Sequence, residues 1–234
     1  NGKIITGSST TISTYQLDVT GTTRLSLDAL VNGLTIGKGL NNISTNTAIG
    51  VTSLDINTTG SNNTAIGYQS LKVNTTGSDN TSIGSNSLVF NTTGINNTAI
   101  GSNSLSKNVN GGSNTSVGKD SLATNTTGNN NSAFGYLSLN LNLSGSSNLA
   151  IGNECLQKNT TASNNVAVGI ASMQNNTTGA TNNAIGVNSL VFNTVGSNNS
   201  TIGHQSLYNN TTGGSNCALG ALAGRYISGG SASN

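Results

Sequence analysis

The chain has 234 residues, a formal net charge of +2, and only 6% charged and 3% aromatic residues. Asn, Ser, Thr and Gly fill 138 of the 234 positions, with no Pro and no Trp, so the polar bias is uncharged and lacks the high net charge of disordered chains. Bulky apolar residues are too sparse for a conventional globular core, and many shallow repeated units, each burying little, fit both facts.

The eight basic residues (Lys3, Arg24, Lys38, Lys72, Lys107, Lys119, Lys158, Arg225) stand singly against six acids. They form no stripe that could displace counterions from a phosphate backbone, so nucleic acid is not an expected partner. No run of eighteen apolar residues exists, and membrane insertion is not expected either. The chain opens on Asn1 with no signal-peptide pattern, which gives the expectation of a processed product or a fragment.

Along the chain, residues 1–33 form the first unit. Alternation in Tyr15–Val19 and in Arg24–Asp28, separated by Thr20-Gly21-Thr22-Thr23, predicts two short strands and a turn, an N-terminal β cap or stem. Leu34-Thr35-Ile36-Gly37 reads as a shortened first coil of the second unit, residues 34–224. From there a 17-residue repeat holds without a slip: Gly50, Gly67, Gly84, Gly101, Gly118, Gly135, Gly152, Gly169, Gly186, Gly203 and Gly220. A second series at Gly60, Gly77, Gly94, Gly111, Gly128, Gly145, Gly179, Gly196 and Gly213 is broken only by Ala162. Two glycines per period predict two turns per period. Residues 225–234 read as a C-terminal tail or a continuation cut short.

Two bulky apolar positions recur in every period. One precedes the first-series Gly (Ile49, Ile66, Ile83, Ile100, Val117, Phe134, Ile151, Val168, Ile185, Ile202, Leu219). The other follows it by four (Leu54, Leu71, Leu88, Leu105, Leu122, Leu139, Leu156, Met173, Leu190, Leu207). Turn residues this frequent leave no room for a ten-residue helix, whereas two strands of four or five residues fit. The predicted fold is therefore all-β, a parallel β-solenoid of 17-residue coils: strand, Gly turn, second strand, Asn-Thr-Thr-Gly corner.

Two Asn columns have no exception. The first is Asn46, Asn63, Asn80, Asn97, Asn114, Asn131, Asn148, Asn165, Asn182, Asn199 and Asn216. The second is Asn57, Asn74, Asn91, Asn108, Asn125, Asn142, Asn159, Asn176, Asn193 and Asn210. Stacked amides can bond to the copies above and below, so the columns are expected to be structural ladders satisfying buried corners, with a ligand-binding array as the alternative. About two large apolar side chains per coil make a thin core, for which oligomerisation is the usual remedy. The expected assembly is a homotrimeric fibre in which the Ile column fills each coil and the Leu column packs on the common axis.

Chemistry has few candidates. His204 is the only His, and no acid lies within two coils of it, so a Ser-His-acid triad is not expected. Asp120 and Glu154 share a register position two coils apart, about 9–10 Å, near the separation of inverting glycosidase carboxylates. Small polar neighbours and the lack of an aromatic cleft argue against catalysis. Cys155 and Cys217 lie between three and four coils apart, beyond disulfide reach, and read as buried small residues standing in for Ser and Thr. No zinc, calcium or phosphate-loop pattern appears. No catalytic residue, metal or cofactor is expected.

The Asn-Thr-Ala-Ile-Gly unit at Asn46 to Gly50, Asn63 to Gly67 and Asn97 to Gly101 resembles the Ala-Ile-Gly repeats in head domains of trimeric autotransporter adhesins. Fuller units such as Asn57 to Leu71 are similar to repeats of bacteriophage tail-fibre and related virion fibre proteins. The resemblance covers about residues 34–224 and implies a left-handed parallel β-roll assembled as a trimer; the 17-residue period and the Asn-Thr-Thr-Gly corner depart from the adhesin repeat.

The expectation is an extracellular structural fibre segment, the shaft or head of a virion or cell-surface appendage that presents a receptor-binding tip. The alternative is an adhesin that binds host-surface glycan or protein through variable residues such as Tyr68, Gln69, Tyr136, His204 and Gln205. A third option is an ice-binding solenoid using the column Thr58, Thr75, Thr92, Thr126, Thr160, Thr177 and Thr211, which is interrupted at Val109 and Leu143.

Overall fold

The computed structural model describes residues 29–31 and 34–226. Thirteen short strands, β1 (Ala29–Val31), β2 (Leu34–Gly37), β3 (Thr47–Ile49), β4 (Thr64–Ile66), β5 (Thr81–Ile83), β6 (Thr98–Ile100), β7 (Thr115–Val117), β8 (Ser132–Phe134), β9 (Leu149–Ile151), β10 (Val166–Val168), β11 (Asn183–Ile185), β12 (Ser200–Ile202) and β13 (Cys217–Leu219), form one sheet in sequence order. From β3 to β13 every neighbour is parallel and offset by one repeat, as in Thr64↔Thr81, Ala65↔Ser82 and Ile66↔Ile83. The chain is a parallel β-solenoid repeat protein, and at the usual strand spacing its eleven stacked strands span on the order of 50 Å.

Leu34–Gly37 is not a shortened coil. β2 pairs antiparallel with β3 (Ile36↔Ile49, Gly37↔Ala48) and with β1, so the parallel stack starts at β3 and its first edge is covered by a reversed strand. The strands expected at Tyr15–Val19 and Arg24–Asp28, and positions 227–234 of the tail, lie outside the described residues.

Each coil has one strand, not two. In Thr64–Ile66 the middle Ala65 is buried while Thr64 and Ile66 point outward. Gly67 then turns the chain at φ 131°, where an added Cβ would lie 2.6 Å from the carbonyl oxygen of Gly84 in the next coil. Conformation and space together demand glycine there.

The arm expected to be a second strand instead has left-handed φ at Gln69 (54°) and Leu71 (50°). Its backbone donors point alternately to opposite neighbours: Gln69 N–H to the Val51 carbonyl at 3.0 Å, and Leu71 N–H to the Ser87 carbonyl at 3.0 Å. Left-handed backbone costs a non-Gly residue about 1–2 kcal/mol. Complete burial of the Leu side chain contributes roughly 1.5–3 kcal/mol in return, and Leu54 through Leu190 are all fully buried.

The two apolar columns therefore exchange the roles expected of them. Leu and Ala fill the coil interior. The Ile column faces outward along the sheet, because the alternation within a three-residue strand that buries Ala65 must expose its neighbours on both sides.

Both Asn columns are buried ladders. Asn63 Oδ1 accepts the backbone N–H of Asn80 at 3.0 Å and the Asn80 side-chain amide at 3.1 Å. Asn74 Nδ2 donates to Asn57 Oδ1 at 2.9 Å. The two columns converge, since the Gly77 carbonyl accepts from Asn63 Nδ2 at 2.9 Å and from Asn74 Nδ2 at 2.8 Å. This explains the second Gly series, where φ is not left-handed. A Cβ at Gly77 would lie 2.4 Å from Asn74 Oδ1 and 2.4 Å from the Gly94 carbonyl oxygen. At Ala162 the carbonyl still takes both amides, from Asn148 and Asn159.

Candidate binding face

With the interior occupied by Leu, Ala, Ser and Asn, candidate chemistry lies outside the coils. The two positions after each first-series Gly form a variable face of the rod. Tyr68 is 52% exposed and Tyr136 46%, His204 is exposed, and Gln69 and Gln205 beside them are half-buried. Tyr68, Tyr136 and His204 occupy one column, but each is four coils from the next, about 19 Å at strand spacing. Register aligns them without bringing them together, so they do not form one shared site.

Tyr136 has the richest surroundings. In the preceding coil Lys119 places its Nζ 5.8 Å from the Tyr136 ring centroid and 3.8 Å from Asp120 Oδ2. In the following coil the Glu154 backbone N–H donates to the Tyr136 carbonyl at 2.9 Å. Lys119, Asp120 and Glu154 are the only Lys, Arg, Asp or Glu in this pair of columns between Val51 and Leu222, and all three flank Tyr136.

Each carboxylate is steadied by an amide. Asn103 Nδ2 donates to Asp120 Oδ1 at 2.9 Å, and Gln174 Nε2 donates to Glu154 Oε2 at 2.5 Å. The sequence alone left the two acids without an aromatic neighbour because Tyr136 belongs to the adjacent register column. The order of columns across the turn was the signal that could have linked them.

The other candidates resolve differently. Cys155 occupies a Ser position and is buried, its Sγ donating to the Ala167 carbonyl at 3.2 Å, and burial pushes its thiol up to about 12. Cys217 is exposed, contrary to the expectation of burial, because it holds the outward first position of β13; both cysteines are free. The Thr column is not a free array of hydroxyls. Thr75, Thr92, Thr126, Thr160 and Thr177 each donate Oγ1 to a carbonyl one coil on, at 2.8–3.1 Å.

Arg225, in the first part of the tail, lies over the rings of Tyr208 and Tyr226 at 5.4 and 5.7 Å. Among the described residues no group of three His, Cys, Asp or Glu could hold a metal ion, and no helix is long and apolar enough to cross a membrane.

The outer face of the sheet carries the other conspicuous feature. Its Ile column runs through eleven coils without a polar break, from Ile49 to Leu219, and members such as Ile100 (37%) and Ile202 (48%) retain substantial exposure. In comparisons of the whole chain, no protein-family model, no curated protein and no solved structure matches it.

Proposed function

We propose that the rod is a structural segment of a homotrimeric fibre, the shaft or head of an extracellular virion or cell-surface appendage that holds a receptor-binding tip away from its base. The uninterrupted, solvent-facing Ile column carries this reading. One strand of three residues is about 10 Å wide. The Thr64 and Ile66 columns share that width, so the apolar half makes a strip of roughly two to three hundred Å² along the rod, near the few hundred Å² at which exposed apolar surface marks an interaction site.

The column is straight, repeats at every coil and is flanked by the Thr64 column on the same face, so each rod can meet two neighbours around a cyclic axis. The resemblance to trimeric adhesin heads and virion fibres supplies the number three. The mechanism is mechanical: amide ladders and interlocked coils resist local opening, and length provides reach.

Sedimentation equilibrium of the 234-residue chain tests the reading. A mass of three chains that falls to one chain in an Ile100→Asp, Ile151→Asp variant is the expected result. A folded wild-type monomer at micromolar concentration overturns it.

A second reading, an adhesin whose own surface recognises host glycan or protein, is favoured by the exposure of Tyr68, Tyr136 and His204 on the variable face. The ice-binding reading is weakened because the Thr hydroxyls donate within the rod; absence of thermal hysteresis would exclude it.

A further inference from the structure

We infer that the face centred on Tyr136 is a subsite for a neutral pyranose sugar. This rests on the second reading, that the rod surface itself recognises ligand, and is independent of trimer formation. A half-exposed phenol offers an apolar ring face with negative quadrupole to the C–H groups of a sugar and a hydroxyl at its edge. Sites of this kind add a few fixed polar groups that set orientation.

Here those groups are in place on both sides of the ring along the rod axis. Asp120 precedes it by one coil and Glu154 follows by one coil, so their Cα atoms stand about 9–10 Å apart, with the Asp120 carboxylate bonded toward the coil before and that of Glu154 toward the coil after.

The amides of Asn103 and Gln174 hold one oxygen of each carboxylate; the second oxygen of Glu154 is left to accept a sugar hydroxyl, while that of Asp120 faces the Lys119 ammonium. The Lys119 ammonium, over one face of the ring and 3.8 Å from Asp120 Oδ2, is placed to donate to an oxygen of a sugar that takes the other face. Two carboxylates against one ammonium leave a net negative patch, which disfavours uronic and sialic acids and selects neutral rings. The proposal is for binding and positioning, with no bond made or broken.

The experiment is isothermal titration and saturation-transfer NMR of the full chain with cellohexaose, chitohexaose and, as a charged counterpart, sialyllactose. Binding of a neutral hexaose that weakens at least tenfold in Tyr136→Ala and several-fold in the Asp120→Asn, Glu154→Gln double variant is expected. Tyr68→Ala, which removes an equally exposed tyrosine without flanking charges, should leave binding unchanged, and retained thermal melting shows that each variant is folded.

Binding that is insensitive to Tyr136→Ala, or equally sensitive to Tyr68→Ala, overturns the subsite while leaving a recognising surface. Preference for sialyllactose overturns the neutral-sugar assignment. No binding to any of the three overturns the subsite and removes the support for a glycan-binding rod.

Discussion

The side-chain amide of Asn74 donates to Asn57 Oδ1, one coil earlier, at 2.9 Å while also holding the carbonyl of Gly77 at 2.8 Å. The same double bond pattern recurs at Asn125, which donates to Asn108 Oδ1 and the Gly128 carbonyl and accepts from Asn142. An amide alone has both the donor and the acceptor this position needs. Asn125→Asp replaces the donating NH2 with a second acceptor in a buried site, and a loss of about 3 kcal/mol is expected in urea unfolding.

The exchange of roles between the apolar columns gives a contrast. Leu122 is fully buried, so Leu122→Ala should destabilise each rod by about 2–5 kcal/mol. Val117→Ala, on the outward column, should change the stability of a dissociated rod by less than about 1 kcal/mol yet weaken self-association. Chemical unfolding and sedimentation, run on both variants, separate the two effects.

Gly118 combines φ 132° with a next-coil carbonyl oxygen 2.5 Å from where a Cβ would sit. Gly118→Ala therefore adds backbone strain of about 1–3 kcal/mol to a clash with main chain that cannot swing aside. A drop in melting temperature larger than that of Ala123→Gly in the same coil is expected by calorimetry.

Cys155 couples stability to alkaline pH. Burial pushes its thiol from the ordinary 9.0 up to about 12, so the unfolded chain loses its proton first. The contribution is complete below pH 9 and falls by about 1.4 kcal/mol per pH unit between those values. Cys155→Ser, which restores the usual residue of its column, should remove that part of the slope in urea unfolding from pH 8 to 11. In thiol-reagent labelling at pH 8, Cys217 should react promptly and Cys155 only on unfolding.

Much of this architecture was legible because it is written in strict register. Gly50 and its successors, the Asn46 and Asn57 columns and the 17-residue period required no knowledge of coordinates. What escaped detection has specific causes.

Ile66 and Leu71 look equivalent in sequence, and only the three-residue alternation around Ala65 decides which one is inside. Left-handed φ at Leu71 leaves no mark in a residue that rarely adopts it, so an arm of alternating handedness was expected as a strand. Leu34-Thr35-Ile36-Gly37 matches the strand motif but runs the other way, because a motif without a following coil carries no direction. Tyr136 lies close to Asp120 and Glu154 because it belongs to the column beside theirs, a relation that matching residues within a single column does not report.

Because interior coils present the same amides and, apart from Met173 and Ala162, the same Leu and Gly to their neighbours, coils are interchangeable parts. Duplicating or excising one 17-residue unit between Asn63 and Asn199 changes the rod by a single strand step, about 4.8 Å, and leaves every column aligned. Length in this molecule is thus a digital quantity, adjustable one coil at a time without redesigning any interior contact.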